Sequence, residues 1–223
     1  MKLLWLAAHP TELAPLAAQP ATFVVGTIGV RVATVGVGLA AAAAGTARAL
    51  QEERPSAVVL TGSCGLYPQR GVSLSIGDEA LPERVGLHEV AHLRGRVAYP
   101  AAMPTWLWCH AGIAHGLLRV AKDAHLCSAA TTLGISTDDD LASELGQGMH
   151  DVENLEAFGV AQACRLAGVP FAALLGVTNT VGAGGRAQWQ TNAEMAAERT
   201  VARVLGWLNQ DAPGLPRRAS EQP

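Results

Sequence analysis

Short, almost unbroken apolar runs alternate along this chain with longer Ala-rich segments. The runs at 2–8, 22–26, 29–35, 57–61, 72–80, 124–131 and 170–177 predict strands. The segments at 39–53, 104–120, 138–146, 153–167 and 189–208 predict helices. In 153–167, Leu155, Phe158, Ala161 and Leu166 fall at helical spacing, and Gly168-Val169-Pro170 ends the helix. Strands separated by helices require crossover connections, so the pattern predicts an α/β fold on a largely parallel sheet. The 22–26 and 29–35 runs are the exception, because the gap between them suits only a hairpin.

Composition narrows the class. Of 223 residues, 49% are hydrophobic and 16% charged, well under the usual quarter, so the chain is ordered and can bury a large core. The length suits one domain, expected over 1–208. The end, 209–223, is rich in Pro, Arg, Ser and Gln and is expected to be loose. Nineteen acidic residues against 16 basic give a net charge of −3 and a pI near 6.1, and with no basic run nucleic acid is not an expected partner. No apolar run is long enough to span a membrane. The opening Met1-Lys2-Leu3-Leu4-Trp5-Leu6-Ala7-Ala8 imitates a signal peptide but breaks at His9-Pro10, short of the roughly 7–15 apolar residues such a segment needs. It reads as a buried first strand. Cys64, Cys109, Cys127 and Cys164 lie far apart without a C-x-x-C pair, which argues against a disulfide scaffold or zinc knuckle and fits a reducing cytoplasm.

Chemistry in such sheets collects at the carboxyl ends of strands, here His9–Glu12, Gly36–Gly38, Thr61–Gly65, Thr131–Thr137 and Thr178–Arg186. Two familiar spellings have poor contexts. His88-Glu89-Val90-Ala91-His92 reads H-E-x-x-H, but Gly86 and Gly95 bracket too short a helix and no third zinc ligand follows. Gly36-Val37-Gly38-Leu39-Ala40-Ala41 reads G-x-G-x-x-A, but the acid expected about 20 residues on is missing and a hairpin precedes it. Asp138-Asp139-Asp140 follows Ser136-Thr137 and reads as a capped, acid-rich first helical turn rather than a metal cluster.

Three features remain. Thr61-Gly62-Ser63-Cys64-Gly65 places bare amides and a hydroxyl at a strand end, which suits an anion, a sugar or a water. Glu12 follows the first strand. Glu156 stands in an apolar segment, where an isolated carboxylate costs several kcal/mol to bury unless something binds it; it also fits a plain helix-dipole acid.

Taken together, these segments resemble the nucleoside phosphorylase and nucleosidase superfamily over nearly the whole chain. The resemblance rests on the strand ending in Glu12, Val35-Gly36-Val37-Gly38, Thr61–Gly65, Val152-Glu153-Asn154-Leu155-Glu156, and the strand from Val169 to Asn179. It implies a single-domain α/β fold with a central mixed, twisted sheet flanked by helices. Related phosphorylases carry a phosphate-binding Arg where this chain has Leu60, so the resemblance implies water as nucleophile and Glu12 as its general base. Within the superfamily, Val152–Glu156 and Thr178-Asn179-Thr180-Val181-Gly182, followed by Arg186 and Trp189, look most like the futalosine hydrolases of the alternative menaquinone route. Their reaction releases hypoxanthine from futalosine.

The rival is the 5′-methylthioadenosine/S-adenosylhomocysteine nucleosidase family, which carries a proton-donating Asp where Asn179 stands; a nucleoside-binding protein without turnover is a third possibility. The resemblance further implies that Glu156 binds the ribose hydroxyls and Leu155 packs below the ring. Ser63 and the backbone of Cys64 and Gly65 would line the site, with Asn179 facing the purine. Arg186 and Trp189 are candidates for the carboxylate and ring of futalosine's benzoate arm; equally, they read as a solvated loop residue and a core anchor. Glu153 receives no role. No metal or organic cofactor is expected, the partner is a small purine nucleoside, and the family implies a homodimer or larger assembly.

Overall fold

The computed structural model describes residues 1–68, 73–121 and 123–216. Strand β1 (Lys2–Ala7) is buried from Leu3 onward and runs parallel to both β3 (Ile28–Thr34) and β4 (Ala57–Leu66). A strand packed on both faces needs an unbroken apolar sequence, and this is why the opening reads so clearly. Strand β2 (Thr22–Val25) pairs antiparallel with β3 across a Gly26-Thr27 turn, the expected hairpin.

Beyond β4 the sheet curls and closes. Strand β4 pairs in parallel with β9 (Phe171–Thr180), and β9 pairs antiparallel with β5 (Glu79–Leu87). Strand β5 pairs in parallel with β7 (Ala124–Thr131), and β7 with the two-residue β8 (Val152–Glu153). Strand β8 then returns antiparallel to β4. Five strands therefore form a ring, with β6 (Trp106–Trp108) hanging antiparallel from β5. The sheet is mixed, and the carboxyl ends of β4, β7 and β9 converge on β8.

Helices cover both faces. Leu4, Leu6, Val58, Leu60 and Leu175 form one core with α1 (Leu39–Glu53) and α5 (Ala157–Ala167). The alternate residues Leu3, Trp5 and Val59 form the other, with α3 (Ala111–Val120) and α6 (Gly185–Leu208). Two short helices, α2 (Val90–Leu93) and α4 (Asp139–Gly146), sit in the connections. No helix among the described residues is long and apolar enough to cross a membrane. The four cysteines are free and buried.

Several boundaries differ from the sequence pattern. The strand expected at 72–80 begins only at Glu79, because Ser75–Asp78 makes a turn in which Asp78 accepts the Ser75 amide and Gly77 takes φ 97°; position 72 lies outside the described residues. The helix expected at 104–120 is strand β6 followed by α3, since His110 caps the helix through the Ile113 amide and leaves Trp106–Trp108 free to pair with β5. The helix expected from 153 starts at Ala157, because Val152 and Glu153 are drawn into the ring. Helix α6 starts at Gly185 rather than 189. The stretch from Asn209, expected to be loose, is docked as far as it is described: Ala212 and Leu215 are buried and Trp207 Nε1 donates to the Pro213 carbonyl at 3.0 Å. Residues 217–223 lie outside the described residues.

Candidate active site

Glu12 lies in a short 3-10 segment, Pro10–Leu16, that starts directly after β1. His9 caps it, its Nδ1 accepting from the Thr11 amide, and Pro10 suits the first helical position. The Glu12 carboxylate folds back over the strand end. Oε2 accepts from the amides of Ala8 (3.0 Å) and His9 (3.2 Å), and Oε1 from the amide of Ser63 (3.2 Å). A Cβ at Gly62 would stand 3.0 Å from Oε1, so glycine there permits the approach. Burial pushes the Glu12 carboxyl above its ordinary range, against the opposing pull of the His9, Ser63 and Ala8 amides. A carboxylate with raised proton affinity, held by fixed amides, has the makings of a general base.

Glu156 lies across the site with 6% of its surface exposed. The start of α5 does not use its side chain. Asn154 Oδ1 accepts the Glu156 and Ala157 amides at 2.9 and 2.7 Å, and so performs the cap. The helix-dipole reading of Glu156 therefore gives way to another: its Oε1 accepts from the Gly38 amide at 2.9 Å. Burial raises its pKa to about 7, opposed by the Gly38 hydrogen bond and assisted by the negative charge of Glu12. Gly36 and Gly38 have φ of 98° and 86°, conformations open chiefly to glycine. This turn faces a buried carboxylate, which is no place for a pyrophosphate, and the dinucleotide spelling loses its meaning here.

Ser63 links Glu12 to Asn154, the cap of the helix that Glu156 precedes. Its amide and hydroxyl face Glu12, its carbonyl accepts from Asn154 Nδ2 at 3.0 Å, and its Oγ accepts from Trp189 Nε1 at 3.1 Å. A cavity of about 500 Å³ opens here, with Thr11, Glu12, Gly62, Ser63, Trp189 and Glu194 among its walls. Asn179, half-buried, sits opposite Gly65 at the end of β9. Its Oδ1 accepts from Thr178 Oγ1 at 2.8 Å and its Nδ2 donates to the Thr180 carbonyl at 3.0 Å. A Cβ at Gly65 or Gly185 would come within 2.8 or 3.0 Å of that Nδ2, so two glycines make the slot for the amide.

The remaining expectations divide. The Cys64 thiol points away into the core and donates to the Gly176 carbonyl, leaving only its backbone near the site. Leu155 is half-buried beside Glu156. Arg186 is exposed on the first turn of α6; of the expected site residues Glu12, Ser63 and Trp189 line the cavity, while Cys64, Gly65, Leu155, Glu156, Asn179 and Arg186 do not. Trp189 is 40% exposed rather than a core anchor. Glu153 acts as a buried lock, accepting from Tyr67 Oη (2.9 Å), Ser136 Oγ (2.7 Å) and the Ser136 amide (3.1 Å). The sequence singled out the segments that hold Gly38 and Asn154 but gave neither residue a part of its own; the one signal for Asn154 is an Asn just ahead of an apolar helix.

The other spellings resolve into structure. His88 is buried, Glu89 caps the four-residue α2 through the Ala91 amide, and His92 packs on Tyr99. Asp138 caps α4 as expected, and Asp139 accepts from the Ala183 amide. Among the described residues no group of three or more His, Cys, Asp or Glu is arranged to hold a metal.

Comparison with known proteins bears on the fold and the family. A nucleosidase for 5′-methylthioadenosine and S-adenosylhomocysteine from Chromohalobacter salexigens is 30% identical over 173 residues, 72% of this chain and 71% of that protein. The structure of S-adenosylhomocysteine nucleosidase from Streptococcus pyogenes in complex with 5-methylthiotubericidin superposes with TM-score 0.84 at 21% identity, covering 97% of this chain and 98% of that one. A futalosine hydrolase mutant of Helicobacter pylori superposes with TM-score 0.84 at 14% identity, covering 94% and 99%. Residues 3–208 match the family described as the Phosphorylase superfamily, and the chain belongs to that superfamily.

Proposed function

We propose that this protein is a purine-nucleoside N-ribosyl hydrolase. Water attacks the anomeric carbon, the N-glycosidic bond breaks, and the base leaves with the bonding electrons. The observation that carries the reading is the Glu12 carboxylate, fixed by three amides at the wall of an open cavity. Leu60, where related phosphorylases hold phosphate, is buried in the core and offers an anion nothing. Glu12 takes the proton from water. Glu156, when ionised, stabilises the positive charge that develops on the ribose, an electrostatic contribution made stronger by its dry surroundings. Asn179 supports the departing base.

Two substrate readings follow. The names of the relatives give more support to a methylthioadenosine/S-adenosylhomocysteine type of nucleosidase, through the curated protein of highest similarity given above. Asn179 favours the other, a 6-oxopurine such as the hypoxanthine of futalosine. With its oxygen taken by Thr178 and one N–H by Thr180, the amide has a second N–H to offer the base. An amide can donate a hydrogen bond but cannot deliver a proton to an adenine nitrogen.

The test is a phosphate-free incubation with methylthioadenosine, S-adenosylhomocysteine, futalosine and inosine, with released base read by chromatography. Base release without phosphate is expected, and Glu12→Gln should lower kcat by about 10²–10⁴-fold. Adenine from methylthioadenosine selects the first reading, and hypoxanthine from futalosine the second. Base release that requires phosphate overturns the hydrolase.

A further inference from the structure

We propose that Trp189 is a positioning residue for Glu12, acting through the Ser63 hydroxyl; the proposal rests on the nucleosidase reading for its catalytic consequence, though not for its geometry.

Glu12 Oε2 already accepts two backbone amides and Oε1 one. Those donors are fixed by the chain. The one donor on this carboxylate that can rotate is Ser63 Oγ, 3.5 Å from Oε1. A serine hydroxyl carries one hydrogen and two acceptor sites, whereas an indole nitrogen only donates. When Trp189 Nε1 donates to Ser63 Oγ, it occupies an acceptor site and leaves the hydroxyl hydrogen to point towards Glu12. The polarity of the chain Trp189, Ser63, Glu12 is then set, with the Ser63 hydrogen committed to Glu12.

The indole is held where this requires. Helix α6 is pinned to the end of β9 on both sides of Trp189. Gln188 Oε1 accepts the Thr180 amide at 2.8 Å, and Asn192 Nδ2 donates to the Thr178 carbonyl at 2.9 Å. These two bonds orient the first turns of the helix and aim the indole edge at β4. They also account for a partly exposed Trp on a helix whose buried residues, Gly185 apart, lie further along. Trp189 also lines the cavity.

The first test does not need turnover. In ¹H–¹⁵N spectra the Trp189 indole resonance is identified by its loss in Trp189→Phe. Its shift should titrate with pH in the wild type and become flat in both Glu12→Gln and Ser63→Ala. An indole resonance that ignores pH, or that titrates unchanged in Glu12→Gln, overturns the proposal whatever the enzyme's substrate.

Kinetics supply the second test, on whichever nucleoside releases base. Trp189→Phe keeps an aromatic ring but lacks the donor. It should lower kcat roughly 10-fold with KM within about twofold, and the Trp189→Phe/Ser63→Ala pair should lose no more than Ser63→Ala alone. The acid limb of kcat should move to higher pH in both single variants, because a donated hydrogen bond favours the ionised carboxylate. A loss confined to KM, or losses that multiply, would assign Trp189 to substrate packing instead.

Discussion

Glu156 is held in a position that favours chemistry over stability. Its carboxyl is buried, with the Gly38 amide, the Asn154 side chain and the Leu155 amide on it and a second carboxylate in its field. Its pKa of about 7 in the folded protein lies above the ordinary carboxylate value, so the folded state binds a proton that the unfolded chain has released. Above pH 7 this raised affinity is a full cost to folding; as pH falls from 7 towards the unfolded value, the cost disappears. Glu156→Gln should therefore melt at a higher temperature than the wild type at pH 8, by up to about 3 kcal/mol, with the gain gone by pH 4. Turnover should be lost at every pH. Thermal melts across pH check the sign; a variant less stable than the wild type at pH 8 would mean that the ionised carboxylate is better solvated than its burial suggests.

At the scale of elements, the site depends on how closely two helices approach. A Cβ at Gly159 on α5 would lie 2.5 Å from the Leu39 carbonyl and 3.2 Å from the Ala43 amide on α1. The absence of that carbon brings the amino end of α1, and with it Gly38, onto Glu156. Gly159→Ala must push backbone rather than a flexible side chain, and a cost of about 1–3 kcal/mol is expected. Melting temperature should fall, and KM for the nucleoside should rise as Gly38 withdraws from Glu156. A variant that melts and binds like the wild type would show that this approach does not position the site. Glycines and alanines in such positions look alike in a helical pattern, so their role was not legible; the existence of α1 and of its Gly36–Gly38 turn was.

At the scale of the molecule, closing the ring buries His88 and His150 in a stack with half-buried Trp106 and Arg84. Arg84 lies 4.4 Å over Trp106, Trp106 stacks on His150 at 4.6 Å, and His150 meets His88 at 4.5 Å. Burial, then the charges of His88 and Arg84, push the His150 pKa down to about 3, and burial lowers His88 as well. Here the folded state refuses a proton that the unfolded chain takes up near pH 6.5, so stability is lost as pH falls from 6.5 towards 3. That loss is about 1.4 kcal/mol per pH unit for one such histidine, and it opposes the gain from protonating Glu156. His150→Gln isolates it: the drop in melting temperature between pH 7.5 and pH 5 should be smaller than in the wild type, by the equivalent of about 2 kcal/mol. Equal drops would place the acid sensitivity elsewhere.

By itself the sequence determined β1, β7, the apolar first parts of β4 and β9, and the hairpin before α1, because an apolar run with a turn at its end has few other uses; that β4 runs on through Thr61–Gly65 to Leu66 and β9 to Thr180 came from their pairing with each other. It also marked Glu12, Ser63 and Asn179, as polar groups at the ends of apolar strands, and Glu156, as a lone acid in an apolar segment; the parts given to them came from the resemblance. Tertiary structure alone decided that β8 exists as two residues, since they pair only because β4 and β7 flank them. It decided that β5 starts at Glu79, and that Glu12 comes near enough for its charge to act on Glu156. Gly38 reaches Glu156 across 118 positions, Asn154 reaches Ser63 across 91, and Trp189 reaches Ser63 across 126. A hydrogen bond over such separations depends on how the ring closes and the helices seat, and local periodicity carries no record of it.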